Sequence, residues 1–314
     1  MRAVWLKEFG GPEVLVPGDA PEPVPGPGQV LIDVAYANIT FVETQFRSGR
    51  PSPFRVELPV IPGNGVGGVV AAVGDGADPA LVGRRVVTSM GGSGGYAERG
   101  VADAAGLFPV PDGLELDDAV AVLADGRTAT MMIRATAPRP GERVLVEAAA
   151  GGVGSLLVQL AKAAGVTVVA AAGGPRKLDV ARDLGADETV DYTVPGWAEG
   201  VAPVDVVLDG VGGDIGRTAF GLLRPGGRMI SFGLASGEWA GISEEEAAAR
   251  GVTLVEGNAT PGLMREYTLS ALDEAAAGRL RPLIGQRFPL ERAADAHAAI
   301  ESRAGVGKTL LEVR

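Results

Sequence analysis

Residues 142–165, ERVLVEAAAGGVGSLLVQLAKAAG, constrain the fold more than any other part of the chain. Their apolar, β-branched start predicts a strand, and the apolar stripe after Gly154 predicts a helix. The turn between them reads A-x-G-x-x-G, with Ala149 at the first position of the G-x-G-x-x-G pattern and Gly151 and Gly154 at the others. In this setting the glycines allow a pyrophosphate to approach the helix N-terminus, so the turn predicts a dinucleotide site.

Composition and charge exclude several kinds of partner. The chain has 314 residues, which is enough for two domains. Its formal net charge of −11 argues against nucleic acid or an anionic membrane, because phosphates are bound through basic surfaces. The N-terminus lacks the apolar core of a secretory signal, and no apolar run reaches about 18 residues. We therefore expect a cytoplasmic protein without nucleic-acid or membrane partners.

Two rhythms of secondary structure divide the chain. Up to about residue 118, short strands between Gly/Pro turns predict a compact, mostly β domain. From about 119, strands alternate with helices, which is typical of a doubly wound parallel sheet. The elements after 257 are expected to return to the first domain. This predicts an α/β protein with one domain at 1–118 and 258–314 and another at 119–257.

The expected elements follow from periodicity and from turn residues. Strands of the first domain are predicted at 4–6, 14–16, 30–36, 66–73, 86–89 and 97–101, with a last one at 309–313. Strands of the second are predicted at 144–147, 166–171, 189–191, 204–209, 228–232 and 253–256. Helices are predicted at 155–164, 176–184, 214–223, 243–250, 263–277 and 293–302. Gly165, Gly185 and Gly251 are expected just past helix ends, where a left-handed residue favours glycine.

The residues after the second strand of the sheet favour NADPH over NADH. NAD-selective sheets place a carboxylate there, about 20 residues past the glycines, to bind the ribose 2′-hydroxyl. Here residues 170–175 carry no carboxylate, and Arg176 and Lys177 follow at the start of a helix. A bound 2′-phosphate would explain cations that oppose the helix dipole, although two solvated surface charges would also fit. The coenzyme expected is NADPH (NADP⁺).

The single histidine restricts the chemistry. With no cysteine in the chain, His297 cannot supply the three or four nitrogen and sulfur ligands of a zinc site, so no metal site is predicted. It has no Ser–Asp constellation around it, and G-x-S-x-G is absent, which leaves a hydrolytic triad without a base. His297 is expected to be a surface or packing residue.

Several short segments follow one another in a definite order along the chain: 41–49, 58–63 with the strand 68–74, 94–98, 126–129, 148–154, 173–177, 191–192 and 227–233. As an ordered set they resemble the medium-chain dehydrogenase/reductase superfamily and, within it, the zinc-free, zeta-crystallin-like quinone oxidoreductase branch, whose G-x-T-A turn is similar to residues 126–129. The resemblance covers nearly the whole chain and implies a mostly β, GroES-like catalytic domain with a Rossmann coenzyme domain.

The resemblance implies roles for individual residues. Thr128 would contact the nicotinamide or its ribose, Tyr192 would lie beside the 2′-phosphate, and a packed aromatic or a helix cap is the other interpretation of these two. Catalytic roles fall on Thr40, Gln45 and Thr128, and substrate binding on Asn38, Gln45 and Arg127. With the basic pair included, the expected coenzyme-binding residues are Thr128, Ala150, Gly151, Gly152, Val153, Gly154, Gly174, Arg176, Lys177, Tyr192, Ser231, Phe232 and Gly233.

The first active-site segment departs from the branch. Aligned on residues 47–49, it has Thr40 where the branch usually has asparagine, Glu43 where it has aspartate, and Gln45 where it has a tyrosine. Asn38 then occupies a preceding position of small residues. These changes alter the polarity of the pocket and make simple quinone specificity doubtful.

The predicted activity is hydride transfer from NADPH to an electron-poor small molecule, either a quinone or the β-carbon of an α,β-unsaturated carbonyl compound. The sequence does not distinguish a quinone from an enone or an enoyl thioester. The altered segment leaves open a second class, an NADPH-binding sensor or structural protein with little turnover. A homodimer is expected through an exposed edge strand, with 228–232 and 253–256 as the apolar candidates.

Overall fold

The computed structural model describes residues 1–54 and 56–314 and divides into two compact units. The first unit contains Met1–Ala124 and Leu272–Arg314, and the second contains Asp125–Ala271. Both boundaries between the units fall inside helices, and they differ by several residues from the domain boundaries predicted at 118 and 257. The functional domain limits given above therefore stay a prediction.

The elements are numbered here in chain order. The strands are β1 (Arg2–Leu6), β2 (Leu15–Asp19), β3 (Gln29–Ile39), β4 (Gly65–Val73), β5 (Arg85–Ser89), β6 (Arg99–Asp103), β7 (Phe108–Pro109), β8 (Arg143–Glu147), β9 (Thr167–Ala172), β10 (Glu188–Asp191), β11 (Val204–Asp209), β12 (Leu223–Ser231), β13 (Thr253–Leu254), β14 (Ile284–Pro289) and β15 (Lys308–Glu312). The α-helices are α1 (Phe41–Arg47), α2 (Leu116–Thr136), α3 (Gly152–Ala163), α4 (Pro175–Asp183), α5 (Gly213–Gly221), α6 (Glu244–Ala249), α7 (Pro261–Ala276) and α8 (Ala293–Glu301). Among the helices of the described residues, none is long and apolar enough to cross a membrane.

The first unit is built on a mostly antiparallel sheet with the order β14-β15-β3-β4-β5-β7, in which β6 also pairs with β3. Along β3 the side chains of Val30, Ile32 and Val34 are buried while their neighbours are partly exposed. This alternation places one face of the strand in the core, as a period of two requires. The expected mostly β, GroES-like architecture is confirmed.

The second unit contains a six-stranded parallel sheet with the order β10-β9-β8-β11-β12-β13. Every residue of the central strand β11 is buried, as expected for a parallel strand covered on both faces. Chain order reverses direction between β8 and β11, which makes these two strands the switch point of a doubly wound sheet. The predicted Rossmann architecture is confirmed, and Gly165, Gly185 and Gly251 have the positive φ expected past helix ends.

Several features differ from the sequence-based expectations. The segment 228–232 is not an edge strand, because β12 pairs with both β11 and β13. β13 does lie at the end of the sheet, so a homodimer through it stays a prediction. The strands β7 and β14 and the helices α1 and α2 were not among the expected elements.

Candidate functional site

The turn after β8 brings the predicted phosphate-binding residues together. Ala148 adopts a left-handed conformation with φ 48°, which is uncommon for alanine, and its carbonyl accepts a hydrogen bond from Gly151 N at 2.8 Å. Gly151 is then the N-cap of α3. By helix geometry the first N–H groups of α3 lack partners within the helix, and Gly151, Gly152 and Val153 are only partly buried. This helix end is therefore open to an anion.

The glycines of this turn have different reasons to be glycine. A Cβ on Gly154 would overlap the carbonyl oxygen of Ala148 and lie 2.8 Å from its carbonyl carbon, so the packing of helix on turn excludes any side chain. A Cβ on Gly151 would meet only the Ala148 oxygen, at 3.1 Å, which a shift of a few tenths of an ångström relieves. Internal packing thus explains why residue 154 is glycine, but it does not explain why residue 151 is.

The predicted 2′-phosphate residues lie together at the start of α4. Gly174 is the N-cap with φ 85°, Arg176 is exposed, and Lys177 is half-buried in the same turn. The ring of Tyr192 lies beside Gly173, because a Cβ there would be 3.3 Å from the ring. The four residues therefore share one edge of the sheet.

Sequence reasoning included Asp191 in a matching segment but assigned it no role at this edge. Its Oδ2 accepts a hydrogen bond from Gly174 N at 3.1 Å, and its Oδ1 accepts from Thr193 N at 2.9 Å and from Thr193 Oγ1 at 2.6 Å. The Thr193 hydroxyl in particular lowers the pKa of Asp191. The carboxylate therefore fixes the backbone of Gly174. The register Asp191–Ala172 between β10 and β9, not the local sequence, brings it there.

The third predicted group lies at the end of β12. Phe232 covers Gly210, where an added Cβ would lie 2.7 Å from the ring, and Gly233 packs against the Gly210 carbonyl. The Ser231 hydroxyl donates to Asp209 Oδ2 at 2.7 Å. Ser231 is thus tied to a buried carboxylate that sequence reasoning did not identify.

Arg127 and Thr128 lie inside α2 rather than in a turn. The G-R-T-A segment 126–129 is part of the continuous helix Leu116–Thr136, so Thr128 is not a helix cap. Burial lowers the pKa of the Arg127 guanidinium from its ordinary value, although Asp125 acts in the opposite direction. Arg127 remains protonated near neutral pH all the same.

The polar residues predicted in the first unit lie on β3 and α1. Asn38 is 1% exposed, and its Nδ2 donates a long hydrogen bond of 3.5 Å to Val120 O, while its buried Oδ1 finds no donor among the described residues. Gln45 is 8% exposed, and Thr40 is half-buried at the N-terminus of α1. These three residues lie at the end of β3 and in the short helix α1 that follows it.

The carboxylate that organises this helix is Glu43. It accepts hydrogen bonds from Thr40 N at 2.6 Å, from Thr40 Oγ1 at 2.9 Å and from Asn64 N at 2.9 Å. Burial raises the pKa of Glu43 above its ordinary value, and these hydrogen bonds partly offset the shift. While Glu43 is ionised, the Thr40 hydroxyl proton is committed to it, and Thr40 presents only lone pairs to a ligand.

Behind α1 lies a buried pair of aromatic rings, Tyr96 and His297. The Tyr96 hydroxyl and His297 Nε2 are 2.9 Å apart, and His297 Nδ1 finds no partner among the described residues. Burial, reinforced by the charge of Arg47, lowers the pKa of His297 to about 3. His297 is therefore a neutral packing residue, one of the two roles expected for it.

Comparisons with known proteins agree with this arrangement. The family described as "Alcohol dehydrogenase GroES-like domain" matches residues 26–112, and the family described as "Zinc-binding dehydrogenase" matches residues 184–311. A quinone oxidoreductase of Pseudomonas aeruginosa is 35% identical over 99% of both chains. A 2-haloacrylate reductase of a Burkholderia species is 33% identical over 99% of this chain and 98% of that one.

A solved structure of Escherichia coli quinone oxidoreductase complexed with NADPH superimposes with a TM-score of 0.91 at 28% identity, over 100% of both chains. Fold, glycine turn and full-length relatives together define a dinucleotide-linked oxidoreductase of two-unit architecture. The chain belongs to the medium-chain dehydrogenase/reductase superfamily, in its zeta-crystallin-like quinone oxidoreductase branch.

The description "Zinc-binding dehydrogenase" raises the question of a metal, and the donors present do not fit zinc. The chain has no cysteine, and its one histidine is buried against Tyr96. Within residues 1–54 and 56–314, no three His, Cys, Asp or Glu side chains form a group able to hold a metal ion.

The buried histidine predicts a loss of stability in acid. The unfolded chain binds a proton at His297 near pH 6.5, whereas the folded chain does so only near pH 3. Stability should therefore fall as the pH drops below about 6.5, by up to about 1.4 kcal/mol per pH unit from this residue. Urea unfolding between about pH 7.5 and pH 5 should show this slope, and His297→Gln should reduce it.

Tyr96→Phe serves as the control for that experiment. It removes the hydroxyl partner but keeps the buried imidazole, so it should lower stability at every pH while retaining the slope. Equal slopes in His297→Gln and the unsubstituted protein would show that the imidazole is already solvated in the fold.

Proposed function

We propose that this chain is an NADPH-dependent oxidoreductase that transfers hydride, without zinc, to a quinone or to the β-carbon of an α,β-unsaturated carbonyl compound. The observation that carries the proposal is Gly151 at the N-terminus of α3. The fold itself leaves room for a small side chain at this position. A ligand lying against the helix end would leave no such room, which explains the glycine.

The named relatives support this assignment. The Escherichia coli structure is a complex with NADPH, and the bacterial relatives are named for reduction of quinones and of 2-haloacrylate. Both acceptors have an electron-poor carbon conjugated to a carbonyl group. Hydride addition to such acceptors needs a positioned donor and a hydrogen bond to the developing oxyanion.

The coenzyme, when bound, supplies the hydride, and the chain holds it at three places on one edge of the sheet. The N–H groups of Gly152, Val153 and Gly154 receive the pyrophosphate at the start of α3. Arg176 and Lys177, next to Gly174 and Tyr192, neutralise the 2′-phosphate. Ser231, Phe232, Gly233 and Thr128 surround the nicotinamide, and the buried Ala150 is part of the turn that precedes α3.

On the first unit, Asn38, Thr40 and Gln45 are the acceptor-binding and catalytic residues of the proposal. Arg127, which belongs to the second unit, is a separate candidate for substrate binding. Thr40 donates to a developing oxyanion only when Glu43 holds a proton, because the hydroxyl otherwise donates to that carboxylate. Burial favours the protonated form by raising the pKa of Glu43. Thr40 and Glu43 therefore act as one unit.

A second candidate function is a coenzyme-binding sensor with little turnover. It is favoured by the state of the acceptor-binding residues: Asn38 and Gln45 are nearly inaccessible to solvent, and the Thr40 hydroxyl already donates to Glu43. Such a protein would retain the coenzyme site and lose the reaction.

A survey of acceptors separates the two functions. NADPH oxidation should be detected with at least one member of a panel of quinones, enals, enones and enoyl thioesters. The measurement is the loss of reduced-coenzyme absorbance, with binding checked by fluorescence. Tight binding without oxidation of any acceptor would support the sensor instead.

Gly151→Ala should separate binding from folding. Its free energy of unfolding should remain within about 1 kcal/mol of the unsubstituted protein, since alanine is tolerated at an N-cap at about that cost. Its Kd for NADPH should rise about tenfold or more, because the methyl group occupies the pyrophosphate position. Gly262→Ala, in open space at the start of α7, should change neither quantity. Unaltered binding in Gly151→Ala contradicts the site.

The double variant Arg176→Ala/Lys177→Ala tests the choice of coenzyme. The KM for NADPH should increase about 10-fold to 100-fold, while that for NADH should change less than about twofold, because only NADPH carries the 2′-phosphate. Arg182→Ala removes a positive charge from the last turn of the same helix and should leave both values unchanged. Equal effects on the two coenzymes would remove the argument for NADPH.

A further inference from the structure

Two buried acids lie side by side at the switch point of the parallel sheet. Glu147 ends β8 and Asp209 ends β11, and neither side chain is exposed. The register pairs Leu208 with Val146, so the next residues of these parallel strands are opposite each other. Asp209 is also paired with Ser231 at the end of β12. The coenzyme function proposed above does not use either acid.

The hydrogen bonds identify Asp209 as the charged member. Its Oδ1 accepts from Val211 N at 3.0 Å and from Gly212 N at 2.7 Å, and its Oδ2 accepts from the Ser231 hydroxyl at 2.7 Å. These donors are neutral, so they stabilise a carboxylate without cancelling its charge.

Glu147 is placed differently. Its Oε2 accepts a weak hydrogen bond of 3.2 Å from Val211 N, but its buried Oε1 finds no donor among the described residues. Val211 N also donates to Asp209 Oδ1, which brings the two carboxyl groups side by side, so a proton on Glu147 can be donated to Asp209. Burial, and then the negative charge of Asp209, raise the pKa of Glu147 well above its ordinary value. Two carboxyl groups this close in a buried site share one proton.

The proposed function determines which part of the coenzyme would lie beside the two acids. Ligands of such sheets lie at the carboxyl ends of the strands, at the switch point. When bound, the coenzyme would have its 2′-phosphate held by Gly174, Lys177 and Tyr192 on the β9–β10 side and its pyrophosphate at α3. Its nicotinamide end would then be held at the ends of β11 and β12, where Asp209 and Ser231 are.

We propose that Glu147 and Asp209 together hold one proton and one negative charge beside the nicotinamide end of the coenzyme site, and that this charge favours NADP⁺ over NADPH. The inference rests on the proposed function, since it requires the coenzyme at this edge. The oxidised nicotinamide ring is positively charged and the reduced ring is neutral, so a buried carboxylate attracts only the oxidised form. The pair thereby favours the product side of hydride donation.

The test compares the Kd values of NADP⁺ and NADPH by calorimetry in three proteins. Glu147→Gln replaces a protonated carboxyl group with a neutral amide that can still donate to Asp209, so the Kd ratio should stay within about twofold of the unsubstituted protein. Glu147→Gln/Asp209→Asn removes the charge and should shift the ratio about tenfold in favour of NADPH. The double variant is required because Glu147 could ionise once Asp209 is neutral.

Each outcome decides a different point. An unchanged ratio in the double variant overturns the proposal, as does a single variant that shifts the ratio as far as the double variant. Failure of the unsubstituted protein to bind either coenzyme contradicts the proposed function instead.

A second measurement does not depend on the folding of the double variant. The infrared spectrum of the unsubstituted protein should contain the carbonyl absorption of buried protonated carboxyl groups, and Glu147→Gln should remove the component that Glu43→Gln leaves in place. A spectrum that Glu147→Gln leaves unchanged in this region overturns the shared proton.

Discussion

The close packing of the first turn of α3 on the end of β8 is the constraint on which the rest of the second unit depends. The contact is backbone against backbone, between Gly154 and the carbonyl group of Ala148, and no side chain fits between them. It holds the helix N-terminus at the edge of the sheet, where an anion meets the unpartnered N–H groups. The same turn keeps Glu147, the residue before it, at the switch point.

Local patterns predicted most of the fold. The fully buried strand β11 has the limits expected from its sequence, and α3, α4 and α8 begin and end within a few residues of theirs. The strand β14 escaped prediction because its sequence, IGQRFP, has few β-branched residues and forms a strand mainly through pairing with β15. The helix α1 did have a signal, since Thr40 and Glu43 have the spacing of a capping box.

The residues of the candidate site likewise fall into two groups, those that local sequence patterns predicted and those that they did not. The glycine turn and the basic pair were visible because each is a short run of neighbours in sequence. The polar pairs behind them are not local: Tyr96 and His297 are 201 residues apart, and Glu147 and Asp209 meet only through the register of two strands. The periodicity of the sequence does not predict such pairs, because strand register and topology, rather than secondary-structure propensity, bring their members together. The G-R-T-A segment was misinterpreted as a turn for the opposite reason, since its glycine lies within a long helix whose burial outweighs the low helix propensity of one residue.

The two buried glutamates show how the fold assigns different states to identical side chains. Burial raises the pKa of both, but Glu43 receives hydrogen bonds on both of its oxygens, and Lys308 adds a favourable charge. Glu147 keeps one oxygen without a donor and lies beside a second carboxyl group. Donors stabilise the ionised form, whereas an empty lone pair and a like charge oppose it. At Glu43 the hydrogen-bond donors therefore act against the effect of burial on the pKa, whereas at Glu147 burial and the neighbouring carboxyl group act in the same direction.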